Sequence, residues 1–287
     1  MSFVVRKVEA PPGLCAASAA NRSVPEPEVA TKYLRWTGWL NRLGAAILIV
    51  PAIPVILFLI FIVRLTSYGP GVYRQKRVGR NGRVFTLHKI RTMMHNAEAL
   101  TGPVWTAPND PRITKVGKLL RAIHLDELPQ LINVLWGHMA LIGPRPERPE
   151  FTQYLAREIP GYMNRYVVPP GITGLAQINL PPDADVDSVR RKLVLDLEYI
   201  RMADASTDFR ILLCTAVRLF GFSGMFVARK VGLLRSPEIP EYMRRERSAE
   251  GAPSTYRATI INEPHTLPGA NGTCQVPLPR KDGVSTA

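Results

Sequence analysis

From Leu43 to Val63 the chain reads LGAAILIVPAIPVILFLIFIV, 21 residues without a charge. As a helix such a run extends about 31 Å, the thickness of a bilayer's hydrocarbon core, so it must meet a membrane. Pro51 and Pro54 fall in its middle, where each lacks an N–H and crowds a carbonyl one turn back, which predicts a kink. Lys32, Arg35 and Arg42 precede the run, Arg64, Arg74, Lys76, Arg77, Arg80 and Arg83 follow it, and no acidic residue occurs from Ala30 to Ile90. Under the positive-inside rule both ends then prefer the cytoplasmic side. A straight transmembrane anchor, the plain alternative, cannot satisfy both ends; a kinked helix that enters and leaves by one face can. Tyr33, Trp36 and Trp39 suit an interfacial belt.

Beyond the run, VYRQKRVG and RVFTLHKI flank Arg80-Asn81-Gly82, a signal for a hairpin of short strands. The hairpin is basic, either as a guarded sheet edge or as a grip on phosphates or acidic headgroups. Asn109-Asp110-Pro111-Arg112 reads as a turn, and Thr114 as the cap of a helix with Val116, Leu119, Leu120 and Ile123 on one face. Asp126 then fits the N-cap of a second helix, with Pro129 in its first turn and Leu131, Ile132 and Leu135 as its apolar stripe until Gly137. Ile211 to Ala228 is apolar but interrupted by Arg218, which leaves an interfacial helix and a buried core helix as equal alternatives. The ends lack apolar periodicity. The expected organisation is a disordered arm over 1–30, an interfacial and membrane helix over 31–66, one domain over 67–235 and a disordered tail over 236–287, in the α+β class.

Charge narrows the chemistry. The 287 residues include 37 Lys and Arg against 23 Asp and Glu, a net charge of +14, so an anionic partner is expected: nucleic acid, acidic lipid or a phosphorylated substrate. Only Tyr73 and Phe85 interleave the basic hairpin, too few aromatic residues for a nucleic-acid platform. Cys15, Cys214 and Cys274 are far apart and odd in number, which implies neither a disulfide framework nor a zinc site. An Asp126-Glu127 pair at a positive helix end is by default a capping device. The same geometry keeps a carboxylate ionised, can hold a divalent cation through oxygen, and presents a nucleophile of the kind that forms aspartyl phosphates. Arg145 lies between Pro144 and Pro146, so its backbone is nearly fixed and its guanidinium can be preorganised for a phosphate. Pro169 to Gly174 is a second rigid turn, whose free N–H groups could receive an anion.

In order, RQKRVGRNGRVFTLHKIRTM, NDPRITKVGKLLR, LDELPQLINVLWGHMALIGPRP, PPGITGLAQI and the Asp196 to Asp208 stretch resemble the bacterial sugar transferase family over about Asn41 to Gly221. These are monotopic phosphoglycosyl transferases, and the likeness is to the short members without extra spans or an appended domain. The resemblance implies a reentrant membrane helix broken at Pro54 and a domain on the cytoplasmic face of the bacterial inner membrane. It also implies transfer of a sugar 1-phosphate from a UDP-sugar to undecaprenyl phosphate with release of UMP, the first step of a surface glycan such as an exopolysaccharide. At matched positions Asp126 corresponds to the nucleophile, Glu127 to its acidic partner, and Mg2+ would sit beside Asp126. Arg145, then Lys89, Arg91, Arg112 and Arg121, are the expected phosphate contacts; Gln177, Asp196 and Tyr199 are further substrate-side candidates. Phospholipid is an expected partner, nucleic acid is not, and a homodimer is compatible with the pattern. Asn41 in place of an acidic residue, His124, His138, Ala140 and Asn179-Leu180-Pro181-Pro182 depart from the family pattern. A catalytically inactive membrane scaffold for glycan assembly is the alternative, and the intact Asp126-Glu127 pair argues against it.

Overall fold

The computed structural model describes residues 31–99, 110–183, 185–219 and 224–244. The expected arm over 1–30 and the chain beyond Arg244 lie outside them. Thirteen elements are considered: helix α1 (Thr31–Thr66), strands β1 (Val72–Val78) and β2 (Val84–Ile90), helices α2 (Lys115–Ala122) and α3 (Gln130–Leu135), strand β3 (Ala140–Ile142), helix α4 (Pro149–Glu158), strand β4 (Gly171–Thr173), and helices α5 (Leu175–Asn179), α6 (Val186–Met202), α7 (Ala205–Leu219), α8 (Gly224–Lys230) and α9 (Glu241–Arg244). Helices with two small sheets make the class α+β, as the patterning predicts.

Helix α1 runs through Pro51 and Pro54. It is long and apolar enough to cross a membrane, with a mean hydropathy of 3.2, and only 17% of its most apolar stretch is buried, unlike a soluble core helix. One stripe faces protein: Ala45, Ala52, Leu59 and Val63 are buried, at the i, i+7 and i+4 spacings of a single helix face. Ile47, Val50, Leu57, Phe58, Phe61 and Leu65 are exposed. The stripe packs on Phe85, Leu87, Leu131, Val134 and Met139 in its first half, and on Ile90 and Leu120 in its second. Both ends of α1 are tied to the domain. Near its start, Tyr33 donates to Asp208 (2.6 Å), and Asn41 accepts from the Leu141 amide (2.6 Å). Just past its end, the Arg91 guanidinium donates to the carbonyls of Ser67 and Tyr68, both at 2.7 Å.

Strands β1 and β2 pair antiparallel from Val72 opposite Ile90 to Val78 opposite Val84, as the hairpin signal predicts. Their turn places Asn81 (φ 55°) and Gly82 (φ 75°) in the left-handed region that an Asn-Gly pair tolerates. Strands β3 and β4 pair parallel. Here the two rigid turns of the sequence meet main chain to main chain: a Cβ on Gly171 would come within 2.1 Å of the Gly143 nitrogen, so only glycine fits. The larger core lies under α4, α6 and α7, with Leu155, Ile159, Leu193, Ile200 and Ile211 fully buried.

Three expectations change. The fold continues past 235, because Met243 on α9 is buried in the main core. The described part of the Ile211 to Ala228 run belongs to α7 and α8 and is two-faced: Ile211, Cys214 and Ala228 are buried while Leu212, Leu213 and Phe226 are exposed. Thr114 does cap α2, accepting from the Gly117 amide (2.9 Å), but of its expected apolar face Leu120 is buried and Leu119 is exposed.

Candidate active site

Asp126 is not an N-cap. It sits in a 3-10 turn over Leu125–Glu127, and α3 begins after it with Pro129 in the capping position. His124, just before the turn, has φ 55°, a conformation that costs a non-glycine residue of order 1 kcal/mol and is held only by its surroundings. Asn133, fully buried on α3, accepts from the His88 amide (3.1 Å) and donates to the Thr86 carbonyl (2.7 Å). These two bonds lock α3 against β2, and so set the turn that bears Asp126 and Glu127 beside Lys89.

The two carboxylates have opposite surroundings. Glu127 is saturated: Lys89 Nζ lies 2.9 Å from Oε1, Arg145 Nη2 2.5 Å from the same oxygen, and Arg145 Nη1 3.3 Å from Oε2. Burial would raise its pKa, but the Arg145 and Lys89 charges and hydrogen bonds outweigh that and hold it well below the usual carboxylate range. Asp126 is 6% exposed, and among the described residues its carboxylate accepts no hydrogen bond. Burial pushes its pKa up and Glu127 adds to the rise; Lys89, Arg121 and Arg145 oppose it. A carboxylate that is attracted by three nearby cations but hydrogen-bonded by none of them is available for chemistry.

The remaining expected site residues separate. Lys89, Arg145 and Arg121 gather at the carboxylate pair; Arg121 Nε donates to Thr92 Oγ1 (2.8 Å) and is coupled by charge to Asp126. Arg112 forms a forked pair with Asp110, Nε to Oδ1 at 2.9 Å and Nη2 to Oδ2 at 2.6 Å. Arg91, 5% exposed, is committed to the carbonyls past the end of α1. Gln177 on α5 has a buried Oε1 without a hydrogen-bond partner. Asp196 pairs with Arg165 (2.6 Å) in the core, and Tyr199 donates to Asp208 (2.9 Å), the acceptor that Tyr33 also uses. Both are interior residues, 2% and 3% exposed, so a direct substrate contact is not what surrounds them. Pro54 lies exposed in mid-helix on α1.

Sequence reasoning missed Arg165, Asn133 and the Arg77–Glu147 pair (3.2 Å). Only Arg165 left a trace, an arginine three residues after one tyrosine and one before another, and its guanidinium carbon stands 5.3 and 5.6 Å from those ring centres. Two of the departures are packing features. His138 lies against Phe85 (5.8 Å) and Trp136 (5.9 Å), and Ala140 pairs with Gly171 in the β3–β4 register.

Among the described residues no three His, Cys, Asp or Glu side chains group as a metal site. With Glu127 engaged, Asp126 is the carboxylate left to bind a cation. One protein carboxylate suits Mg2+, which commonly takes one or two carboxylates and completes its shell with substrate phosphates and water.

The sequence profile of the bacterial sugar transferases matches residues 33–221. The chain belongs to the bacterial sugar transferase family. It is 41% identical over 172 residues to the UDP-N-acetylgalactosamine-undecaprenyl-phosphate N-acetylgalactosaminephosphotransferase of Aeromonas hydrophila, covering 60% of this chain and 40% of that one. It is 38% identical over 182 residues to the UDP-glucose:undecaprenyl-phosphate glucose-1-phosphate transferase of Caulobacter vibrioides, 63% of this chain and 68% of that one. To the exopolysaccharide production protein PSS of Rhizobium leguminosarum it is 37% identical over 170 residues, 57% of this chain and 84% of that one. The match thus spans two-fifths of the Aeromonas protein and a larger share of the other two. Family membership and the exposed apolar face of α1 both point to membrane association.

Proposed function

We propose that the protein transfers a sugar 1-phosphate from a UDP-sugar to undecaprenyl phosphate, releasing UMP, in two displacements through Asp126. The observation that carries this reading is the division of labour between the paired carboxylates: Glu127 fixes Lys89 and Arg145, and among the described residues no side chain hydrogen-bonds Asp126. In the first displacement an Asp126 oxygen forms a bond to the sugar-bearing phosphorus, and the bond from that phosphorus to the bridging oxygen breaks, so UMP leaves with the electron pair. In the second, a phosphate oxygen of undecaprenyl phosphate attacks the same phosphorus and Asp126 departs as carboxylate. No proton need be transferred in either, since both leaving groups are weakly basic anions. Lys89, Arg145 and Arg121 neutralise the donor's phosphates, without which an anionic nucleophile could not approach. Mg2+, which Asp126 would hold, would supply further neutralisation of the donor's phosphates. The identity of the sugar stays with the donor screen, because relatives with this likeness are named for different sugars.

We further propose that α1 enters and leaves the cytoplasmic leaflet of the inner membrane. Support comes from the ties near its start and past its end to one domain, whose hairpin carries exposed Arg74, Lys76 and Arg83 that cannot enter hydrocarbon.

The test is UMP release by the purified protein in lipid nanodiscs with Mg2+, undecaprenyl phosphate and a panel of UDP-sugars, beside Asp126→Asn. Release with one sugar, lost in the variant, supports the transferase and names its donor. Silence with every donor, in protein shown to be folded, overturns the reading in favour of the inactive scaffold.

A further inference from the structure

The short segment Pro144-Arg145-Pro146 is anchored more completely than two prolines require. Three successive carbonyls each accept from a different part of the molecule: Pro144 from the Gly171 amide (2.9 Å), Arg145 from Arg165 Nη2 (2.9 Å), and Pro146 from Arg77 Nη1 (3.0 Å). The middle anchor is unusual. Arg165 and Asp196 are both 2% exposed, and they meet at 2.6 Å. Arg165 also donates to the Tyr162 hydroxyl (2.8 Å) and lies against the rings of Tyr162 and Tyr166. Withdrawing two charges from water is expensive, and well-packed apolar side chains of similar size commonly hold a fold as well or better. Stability alone is therefore a weak account of this pair. What an apolar pair could not supply is the hydrogen bond from Arg165 to the main chain of Arg145. Arg145 in turn grips Glu127 through both of its terminal guanidinium nitrogens, beside Asp126.

We infer that Arg165, held by Asp196, is a positioning residue: it fixes the main chain of Arg145 so that the Arg145 guanidinium stands ready for the transferring phosphate. The inference rests on the transferase reading above, and it reassigns Asp196 from the substrate to the support of a substrate-side arginine. Arg165 touches neither substrate nor nucleophile; its effect passes through Arg145 alone. A group displaced by about 1 Å from its reactive geometry can cost about 100-fold in rate.

The test begins with UMP release by the full chain in nanodiscs. Wild-type silence with every donor overturns the transferase reading and this inference with it. Given an active wild type, the variant Arg165→Met/Asp196→Leu removes the buried charges together, so that neither is stranded. The expected result is a thermal midpoint at or above that of the wild type, a kcat lower by about 100-fold and a KM for undecaprenyl phosphate within a few-fold of the wild-type value. In an Arg145→Ala background the same double replacement should cost nothing more, because the residue it serves is gone. A folded double variant with wild-type kcat, or a loss that persists undiminished beside Arg145→Ala, overturns the inference. Should the double variant not fold, Arg165→Lys decides: it keeps the charge beside Asp196 but not the planar fork that reaches the tyrosine and the carbonyl together. Lowered kcat in a folded Arg165→Lys supports the inference, and unchanged kcat overturns it.

Discussion

At the scale of single residues, the carboxylate pair trades stability for reactivity. Asp126 has its pKa raised in the folded state, so its contribution to stability is full at acid pH and is lost as pH rises through that value. Asp126→Asn should therefore abolish UMP release yet raise the thermal midpoint at pH 8, which differential scanning fluorimetry would read. Activity should follow ionisation of the same group, with kcat/KM climbing with pH over a range above that of an ordinary aspartate. Glu127 behaves in the opposite sense. Its depressed pKa makes its contribution present above the unfolded value and lost as pH falls through the folded one. Glu127→Gln, which strands Lys89 and Arg145, should cost about 2 kcal/mol at pH 7 and progressively less as the pH is lowered below the ordinary glutamate range, measured by urea unfolding. The Asp-Glu pair was legible as a motif, but not which carboxylate was free, because that depends on cations from β2 and the Pro144–Pro146 segment, 38 and 18 residues away from Glu127.

At the scale of elements, the chain's local patterns foretold the hairpin, the Thr114 cap and the apolar helix, each of which rests on a few neighbouring residues. Where they misled, long-range packing had taken over. Asp126 looks like a helix cap in sequence, but it lies in a 3-10 turn and the helix starts after it, pinned to β2 by Asn133. Asp196 and Tyr199 lay in family-like stretches that suggested substrate contact, whereas their partners, Arg165 and Asp208, turn them inward. Asn133→Ala is expected to remove about 2 kcal/mol of stability, since two buried backbone groups lose their partner, and to lower activity through displacement of the Asp126 turn. Equilibrium unfolding and UMP release measured on the same preparation check both.

For the whole molecule, the distribution of apolar surface follows the same logic. α1 buries one stripe in the domain and presents the rest outward, and Phe209, Leu212 and Phe226 add exposed apolar surface on α7 and α8. Because one phosphoanhydride is broken as another is made, the overall reaction should lie near equilibrium, and added UMP should drive radiolabel from the lipid product back into UDP-sugar. A same-side helix also predicts that single cysteines at Trp39 and Arg64 are both labelled by an impermeant maleimide in inside-out vesicles; labelling of one alone would mark a span. The ties of Tyr33, Asn41 and Arg91 carry a further consequence. A protein threaded through a bilayer must match its own length to that of the lipid tails, and it tilts or strains when they differ. One moored at both ends to a body on a single surface has no such length to match. Its turnover should stay level across nanodiscs built from short and long acyl chains, so that the same enzyme would serve cells whatever the thickness of their membrane.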